Sequence, residues 1–260
     1  MISIVTPTYN RCHTLTRLWD SLCEQSGKCP FEWVLVDDGS TDETQQWFEG
    51  LDTANRFTAR YVKQPNQGKH VALNTAATVA TGQWCLILDS DDALTSDAID
   101  RLALDLSEVG DDQTIVGLCY RRQSFNGELI GDRVPGECVA LTPNQAGQLF
   151  NGDLAYVFRT SALRVHPFPV IVGEKFVPEL LVWNRVSDAG KIRYFPQTAI
   201  YLCEYLPDGY SANFKRMLRN NPRGFGLFYR DQARRLPIGL PWFKSLVRLI
   251  QCRYYQWRQP

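Results

Sequence analysis

The chain has 260 residues, of which 44% are hydrophobic and 22% are charged, and its formal net charge is zero. This length allows one large α/β domain, or one domain with an appendage, and the composition excludes a disordered protein. Residues 211–260 contain eleven Lys or Arg and one acidic residue, so this segment carries a charge of +10 and residues 1–210 carry −10. Such a contrast indicates a basic tail attracted to phosphates, either of a nucleic acid or of an anionic membrane.

Eight cysteines include no CxxC pair and no zinc-finger spacing, so we expect no metal–thiolate site. The apolar start of the chain has neither a basic leader nor a cleavage site, and it predicts a strand rather than a signal peptide. Without an export signal, the cysteines are expected to be reduced thiols in a cytoplasm. No stretch reaches the roughly 18 apolar residues that a membrane-spanning helix needs.

Strand and helix patterns alternate over the first 120 residues. In chain order, the predicted elements are strand 2–6, helix 13–25, strand 31–36, helix 41–51, strand 60–62, helix 68–80, strand 84–88, helix 96–109 and strand 114–120. Ser40 or Thr41 is predicted as the N-cap of the second helix. The successive β-α units predict a doubly wound, mostly parallel sheet with helices on both faces.

The pattern becomes less regular after residue 120. Residues 124–134 predict a hairpin centred on Asn126-Gly127. Residues 141–205 predict mixed helix and strand that closes one side of a cleft. Beyond Asp208 the chain is predicted to be helical, with breaks at Pro222, Pro237 and Pro241.

Acidic residues follow two of the predicted strands, where ligands of open α/β sheets bind. Asp89, Asp91 and Asp92 lie within four residues, and carboxylates this close repel each other unless a cation is present. Mg²⁺ and Mn²⁺ prefer carboxylate and phosphate oxygens, so we expect a divalent metal here. The alternative is a helix N-cap with acidic first-turn residues. Asp38 can accept hydrogen bonds from a base or a ribose, or can form a simple turn and cap.

Four segments resemble the family 2 glycosyltransferases of the GT-A fold in residue type, order and spacing. They are IVTPTYNR at 4–11, VDDGSTD at 36–42, NQG with Ala72 and Asn74 at 66–74, and LDSDD at 88–92. The resemblance covers roughly residues 1–120. It implies a donor-binding half at residues 1–120, an acceptor-side half of the same GT-A domain at 121–210, and a basic, aromatic-rich helical extension at 211–260.

The resemblance also assigns residues to the site. The donor-binding residues it implies are Pro7, Tyr9, Arg11, Asp38, Lys69, His70, Asp89 and Ser90, and the metal ligands are Asp91, Asp89 and Asp92. Pro7 and Tyr9 would line the nucleobase pocket, and Asp38 would bind the base. Lys69 or His70 would face the donor phosphates, with an exposed helix start as the alternative. The metal would be Mn²⁺ or Mg²⁺, with Asp91 as its nearest ligand.

The family places an acidic general base on the acceptor side, often as a Glu-Asp pair before a helix that contains an Arg. This sequence departs from that pair, because Glu179 stands at the Asp position, six residues before Arg185. We predict Glu179 as the base and Glu174 as its rival; either could instead be a helix-start acid or a salt-bridge partner. A base that removes the hydroxyl proton contributes roughly 10²- to 10⁴-fold in rate.

These assignments predict transfer of a sugar, with inversion, from a nucleoside-diphosphate sugar to a hydroxyl of a glycan or lipid-linked acceptor. UDP is the favoured nucleotide and cell-envelope polysaccharide synthesis the expected process. One alternative is a nucleotidyltransferase, for which residues 7–10 are not the expected Gly-rich loop. Another is a non-catalytic sugar-nucleotide-binding protein.

The basic tail allows two interpretations. Residues 242–257 can be drawn as an amphipathic helix, with Phe243, Leu246, Leu249 and Ile250 on one face and Lys244, Arg248, Arg253 and Arg258 beside it. This pattern favours an anionic membrane surface, and the alternative is a helix packed on the domain with a solvated basic face. No nucleic-acid-binding module accompanies the charge, so no nucleic acid is expected. The expected location is cytoplasmic, with attachment to the inner face of the membrane under the first interpretation.

Overall fold

The computed structural model describes residues 1–26, 29–53, 56–204 and 213–258. The strands are β1 (Ile2–Thr8), β2 (Phe31–Asp37), β3 (Thr58–Lys63), β4 (Trp84–Ile87), β5 (Ala93–Leu94), β6 (Ile115–Gln123), β7 (Val139–Leu141), β8 (Leu154–Arg159) and β9 (Lys191–Leu202). The helices are α1 (Cys12–Cys23), α2 (Thr44–Glu49), α3 (Lys69–Val79), α4 (Ala98–Val109), α5 (Pro143–Phe150), α6 (Thr160–Val165), α7 (Leu180–Asp188), α8 (Phe214–Asn220), α9 (Pro222–Arg235) and α10 (Leu240–Arg258).

The described strands form one sheet in the order β3-β2-β1-β4-β8-β6-β9-β5, with β7 paired to β9. The strands β3, β2, β1 and β4 are parallel, whereas β8 runs antiparallel between β4 and β6. The chain order reverses at β1, because β2 lies on one side of it and β4 on the other. A crevice forms at such a switch point, beyond the carboxyl ends of the strands. The predicted mostly parallel, doubly wound sheet is confirmed.

Alternate residues of the central strands enter two separate hydrophobic layers. Trp33 and Leu35 of β2 pack in the layer that contains α1 and α4, whereas Val34 and Val36 pack in the layer that contains α3 and α7. Successive side chains of a strand point to opposite faces of the sheet, so a strand covered on both faces is apolar throughout. This explains the continuous apolar runs of the sequence and confirms the prediction of helices on both faces.

Helix α2 is shorter than the helix predicted over residues 41–51, because the residues before it bind the loop that follows β1. Ser40 Oγ accepts a hydrogen bond from Asn10 N at 2.9 Å, and Thr41 N donates to Asn10 Oδ1 at 2.8 Å. The residue that precedes α2 is Glu43, which makes no side-chain cap. The prediction of Ser40 or Thr41 as the N-cap is therefore wrong.

A tight turn occupies the predicted hairpin at 124–134. Ser124 N donates to Glu128 O at 2.8 Å, and Gly127 N donates to Ser124 O at 2.9 Å. A single antiparallel bridge adjoins this turn. The turn is confirmed, but the paired segment is shorter than a full hairpin.

Three helices form the described part of the C-terminal extension, with α9 packed on α10 and on α7. The breaks at Pro222 and Pro237 are confirmed, and Pro241 lies in the first turn of α10, where a missing N–H costs no hydrogen bond. The predicted domain boundary at residue 210 and the start of the helical region at 208 lie outside the described residues. Among the helices described, none is both long and apolar enough to cross a membrane.

The apolar face predicted for α10 is partly wrong. Phe243 and Ile250 are exposed, but Leu246 and Leu249 are half-buried. The helix is rotated relative to the prediction because it packs on α9 through Ser245 and Cys252, which are both about 95% buried or more.

Candidate active site

The loops after β1 and β2 are tied together at the crevice. Asp38 N donates to Thr8 O at 2.8 Å, which continues the parallel pairing of the two strands by one step. Asn10 then takes a positive φ of 52°, a conformation that asparagine adopts more readily than most residues. These contacts and the Asn10 bonds to residues 40 and 41 hold both loops in one arrangement.

The Asp38 carboxylate organises a third loop. Oδ1 accepts hydrogen bonds from Gln64 Nε2 at 2.7 Å and Gln67 N at 2.9 Å, and Oδ2 accepts one from Gly68 N at 2.7 Å. Asp38 is 3% exposed. A carboxylate has about four acceptor positions, and these contacts occupy three of them.

Both carboxylate oxygens of Asp37 bind groups within the chain. Asp37 is fully buried, its Oδ1 accepts a hydrogen bond from Ser40 N at 2.7 Å, and its Oδ2 accepts one from the Tyr61 hydroxyl. Burial and this bond raise the pKa of Tyr61 above its ordinary value. Asp37 therefore shapes the turn and presents no group to the crevice.

Gly68 allows the loop before α3 to touch the loop before α7. Its φ is +97°, and a β-carbon at this position would overlap the Lys175 carbonyl oxygen. Only glycine combines this conformation with such a close approach. Helix α3 begins at the next residue, so this contact fixes where Lys69 stands.

The turn at residues 89–92 follows β4 and is held by Tyr201 of β9. The Tyr201 hydroxyl accepts a hydrogen bond from Asp89 N at 2.8 Å and donates to Asp92 Oδ2 at 2.8 Å. From the other side, Thr14 of α1 donates to Ser90 O at 2.8 Å. Two elements distant in sequence thus fix the acidic turn at the crevice.

Among the described residues, Lys69 and Arg122 face the carboxylates of this turn, and Arg17 of α1 donates a hydrogen bond to the Asp91 backbone oxygen. Arg122 Nη1 lies 3.4 Å from Asp92 Oδ2 and 3.7 Å from Asp89 Oδ2, with its guanidinium 4.0 Å above the Tyr201 ring. Lys69 Nζ lies 2.6 Å from Asp89 Oδ1. We expected a divalent ion to relieve the repulsion among the three carboxylates, and that expectation did not consider the positive charges of Lys69 and Arg122.

Lys69 also reaches across the crevice. Its Nζ lies 2.7 Å from Glu179 Oε1, so one ammonium group joins the Asp89 carboxylate, after β4, to the Glu179 carboxylate, before α7. Burial alone would lower the pKa of Lys69, but the charges of Asp89 and Glu179 raise it above its ordinary value. Burial likewise opposes ionisation of Asp89, yet Lys69 and Arg122 hold the pKa of Asp89 below its ordinary value.

Repulsion within the acidic turn persists despite the two cations. Burial and the charge of Asp89 raise the pKa of Asp92 to about 8. Asp91 is half-buried, and its carboxylate makes no hydrogen bond or ion pair within the described ranges. Those ranges contain no group of three or more His, Cys, Asp or Glu arranged to hold an ion. The residues therefore fit an ion that takes one carboxylate from the turn and its remaining ligands from a bound molecule.

The two candidate bases stand in different environments. Among the described residues, Glu179, which precedes α7, forms an ion pair only with Lys69, and 31% of its side chain is exposed. Glu174 is 7% exposed, and its two oxygens accept hydrogen bonds from Arg223 N and Gly224 N at the start of α9, both at 2.7 Å. Burial raises the pKa of Glu174, although these two bonds oppose the shift. Glu174 thus anchors the C-terminal helices to the acceptor-side loop.

The remaining predicted donor residues lie around the same edge of the sheet. Pro7 is buried at the end of β1, Tyr9 is 47% exposed, and Arg11 is half-buried. His70 is 2% exposed, and burial lowers its pKa while the charge of Asp38 opposes that shift. Tyr9 and Arg11 are thus accessible to a ligand at the crevice, whereas His70 is part of the packed interior.

A cavity of about 250 Å³ is lined in part by Glu179. Its wall includes Arg122, Asp153 and the aromatic rings of Tyr156 and Trp183, whose centroids are 5.8 Å apart. The cavity therefore joins carboxylates, a guanidinium and aromatic faces next to the Lys69 bridge.

A model of the family described as glycosyl transferase family 2 matches residues 3–164. The chain belongs to this family. Its four motifs all fall in the matched region, and the prediction from the resemblance is confirmed at the level of the family.

Curated relatives match less than half of this chain. A PGL/p-HBAD biosynthesis glycosyltransferase of Mycobacterium bovis is 39% identical over 116 residues, which cover 42% of this chain and 42% of the relative. The poly(ribitol-phosphate) β-N-acetylglucosaminyltransferase TarS of Staphylococcus aureus is 31% identical over 115 residues, or 44% of this chain and 20% of TarS. The matches thus span less than half of these relatives' lengths.

Solved structures match almost the whole chain. Staphylococcus aureus TarS 1–349 in complex with UDP-GlcNAc has a TM-score of 0.68 at 21% identity, over 96% of this chain and 81% of that one. The mannosyltransferase PcManGT of Pyrobaculum calidifontis, in complex with GDP-Man and Mn²⁺, has a TM-score of 0.59 at 23% identity, over 98% and 69%. At these identities the likeness shows the fold, and the predicted GT-A architecture is confirmed.

Two site residues of this family 2 chain were missed from the sequence. Arg122 and Tyr201 stand on β6 and β9, outside the motifs and more than 75 residues apart. The only signal for Arg122 is a charged residue in a strand that is otherwise apolar up to Tyr120. Nothing local marks Tyr201, because its role depends on the pairing of β6 with β9.

Proposed function

We propose that this chain transfers a sugar from a nucleoside-diphosphate sugar to a hydroxyl group, with UDP as the nucleotide. The observation that carries the proposal is the Lys69 bridge, in which one ammonium contacts both Asp89, beside the donor loops, and Glu179, beside the acceptor-side cavity. A glycosyltransferase needs a group that binds the donor on one side of the reacting carbon and a general base for the acceptor hydroxyl on the other. Membership of family 2 supports the reaction class.

The donor would lie across the carboxyl ends of β1, β2 and β4. Pro7, Tyr9 and Arg11 would border the nucleoside, and the free acceptor position of Asp38 would receive a base or ribose N–H or O–H. Asp89 and Ser90 would border the ribose. The UDP and UDP-GlcNAc complexes of TarS support the choice of UDP, because that protein shares the fold.

A divalent metal, Mn²⁺ or Mg²⁺, would be held chiefly by Asp91, with Asp89 and Asp92 beside it. The ion would supply positive charge to the diphosphate leaving group. Asp91 suits this role because its carboxylate has no partner among residues that the structure describes. Lys69 and Arg122 supply charge of the same sign from the chain itself, whereas His70, predicted as a donor-binding residue, would only pack behind Lys69 because burial lowers its pKa.

Glu179 would act as the general base. The acceptor hydroxyl would enter from the cavity, and the Glu179 carboxylate would take its proton as the oxygen attacks the anomeric carbon. Attack from the side opposite the diphosphate inverts the configuration at that carbon. Glu174 is the weaker candidate, since both its oxygens are bound by backbone N–H groups.

The acceptor would be a glycan or a lipid-linked glycan of the cell envelope. The relatives named for PGL/p-HBAD biosynthesis and for poly(ribitol-phosphate) glycosylation support this process. The aromatic pair in the cavity is consistent with a sugar ring stacking there.

Titration calorimetry with UDP, GDP and dTDP tests the donor site, with and without Mn²⁺. We expect UDP to bind, Mn²⁺ to strengthen binding, and Asp91→Asn to remove that strengthening while leaving metal-free binding unchanged. A screen of donor hydrolysis over common nucleotide sugars then identifies the sugar. Binding of none of the three nucleotides would contradict the proposal. Binding without turnover of any donor would favour the alternative of a non-catalytic sugar-nucleotide-binding protein.

A further inference from the structure

Helix α10 presents a continuous apolar stripe to solvent. The residues of this stripe recur at alternating intervals of three and four, and they are Leu240, Phe243, Val247, Ile250, Tyr254 and Trp257. Their exposure runs from 46% at Tyr254 to 80% at Trp257. At this spacing the six side chains lie along one side of the helix. An exposed patch of this length in a folded domain indicates an interaction surface.

Basic side chains flank the stripe. Lys244, Arg253 and Arg258 are exposed, and none of them forms an ion pair with a described residue. The Arg258 guanidinium lies 5.2 Å from the ring of Tyr254, a residue of the stripe. Arg248 differs in being half-buried, with its guanidinium 5.0 Å from the Phe214 ring. Residues 240–258 include no aspartate or glutamate. The surface is therefore apolar along its centre and positive along its edges.

The charge pattern distinguishes between two partners that could cover the stripe, a second copy of the chain and an anionic lipid surface. The three-four spacing equals that of a two-stranded coiled coil, so a second copy of the chain could in principle cover the stripe. In that arrangement, however, the flanking positions would set Lys244, Arg253 and Arg258 against the same cations of the second helix, with no acid on either. An anionic lipid surface instead receives the apolar stripe at the acyl boundary and offers phosphates to the cations.

We propose that α10 binds the surface of an anionic phospholipid membrane through this stripe, with the helix axis parallel to the surface. The aromatic residues Phe243, Tyr254 and Trp257 suit the interface, where amphipathic rings sit at headgroup level. The inference does not depend on the reaction that the chain catalyses.

Vesicle co-sedimentation tests this surface. The full chain is mixed with vesicles of phosphatidylcholine alone or of phosphatidylcholine with phosphatidylglycerol, at low and at high salt. We expect sedimentation with the mixed vesicles, weakened by salt and nearly absent with phosphatidylcholine alone. Ile250→Glu and Val247→Glu should each reduce the partition coefficient at least about tenfold, because each removes an apolar side chain from the interface and adds an opposing charge. Lys244→Gln with Arg253→Gln should reduce the preference for anionic lipid.

Leu104→Glu is the matched control, since Leu104 is an apolar residue 54% exposed on a different helix, α4. It should sediment as the unaltered chain does. Unchanged sedimentation of the α10 variants, or no sedimentation of the unaltered chain, would overturn the proposal. The proposal would also be overturned if light scattering shows that the unaltered chain is a dimer and that Ile250→Glu dissociates it. UDP affinity measured on every variant keeps this test separate from that of the proposed function.

Discussion

Two acidic segments lie at the carboxyl ends of β2 and β4, the strands on either side of β1. Their carboxylates differ in the partners that they bind. Asp37 and Asp38 after β2 bind backbone N–H groups and uncharged side chains. Asp89 and Asp92 after β4 face the charged side chains of Lys69 and Arg122, and Asp92 also accepts a hydrogen bond from the Tyr201 hydroxyl. The sequence signal is similar in both, since each places aspartates directly after a buried strand.

This difference indicates that the segment after β2 fixes the shape of the crevice, whereas the turn after β4 determines its charge. Hydrogen bonds from the backbone fix the loops around Asp38, so this segment belongs to the scaffold of the crevice. Ion pairs with side chains can be rearranged when a charged ligand arrives, because lysine and arginine have several rotamers. The turn at 89–92 is thus the part of the site whose electrostatics a diphosphate or a metal ion can change.

The largest expected effect on stability is at the scaffold. Asp38→Asn places an NH₂ group against the N–H donors of residues 64–68, so at least one buried bond is lost and another is opposed. The free energy of unfolding should fall by about 3 kcal/mol, measured by urea denaturation with tryptophan fluorescence. Asp91→Asn is the matched control and should change it by less than about 0.5 kcal/mol. Equal effects of the two variants would break the distinction between the segments.

A smaller loss is expected at the Lys69 bridge. Lys69→Met leaves the Asp89 and Glu179 carboxylates facing each other, and with 21% of the lysine exposed we expect a loss of about 2 kcal/mol near neutral pH. Lys63→Met, an exposed lysine on β3, should change stability by less than about 0.5 kcal/mol.

The pH dependence of the Lys69→Met effect has a definite sign. The pKa of Asp89 is held below its ordinary value of 3.8, so the stabilisation is fully present above that value. It is lost as the pH falls through the lower pKa of the folded state. The difference between the unaltered chain and the variant should therefore shrink below about pH 4. A difference that grows as the pH falls would contradict the ion-pair account.

The smallest expected effect on the free energy of unfolding is at an ion pair outside the site. Arg235 of α9 binds both oxygens of Asp188 at 2.6 Å and joins the C-terminal helices to α7. Because 57% of the Asp188 side chain is exposed, Arg235→Ala should cost about 1 kcal/mol, and less at high salt. The exposed neighbour Arg234→Ala should cost less than about 0.5 kcal/mol in the same denaturation series. A salt-independent loss would assign the effect to packing.

The sequence was informative where one segment determines its own surroundings. The parallel half of the sheet follows from apolar runs buried on both faces, and the turns after β1, β2 and β4 follow from those runs. The same logic failed at α2, because a tertiary contact between Asn10 and residues 40 and 41 replaced the local N-cap.

The cations of the site could be predicted only in part. Lys69 or His70 was predicted to face the donor phosphates, but the contact of Lys69 with Glu179 could not be predicted. It depends on the close approach of Gly68 to Lys175, two loop residues that are 107 positions apart. Arg122 reaches the acidic turn only because β8 is inserted beside β4 and brings β6 near it. Periodicity contains no information about either contact.

The most direct test of the central claim compares Glu179→Gln with Glu174→Gln in donor binding and in turnover of the donor found by the hydrolysis screen. If Glu179 is the base, its variant should bind UDP within about threefold of the unaltered chain and lose roughly 10²- to 10⁴-fold in kcat. The Glu174 variant should lose stability, because its bonds to α9 weaken, but it should retain most of the turnover of the folded protein. Full turnover by Glu179→Gln together with loss of turnover by a folded Glu174→Gln would contradict the account.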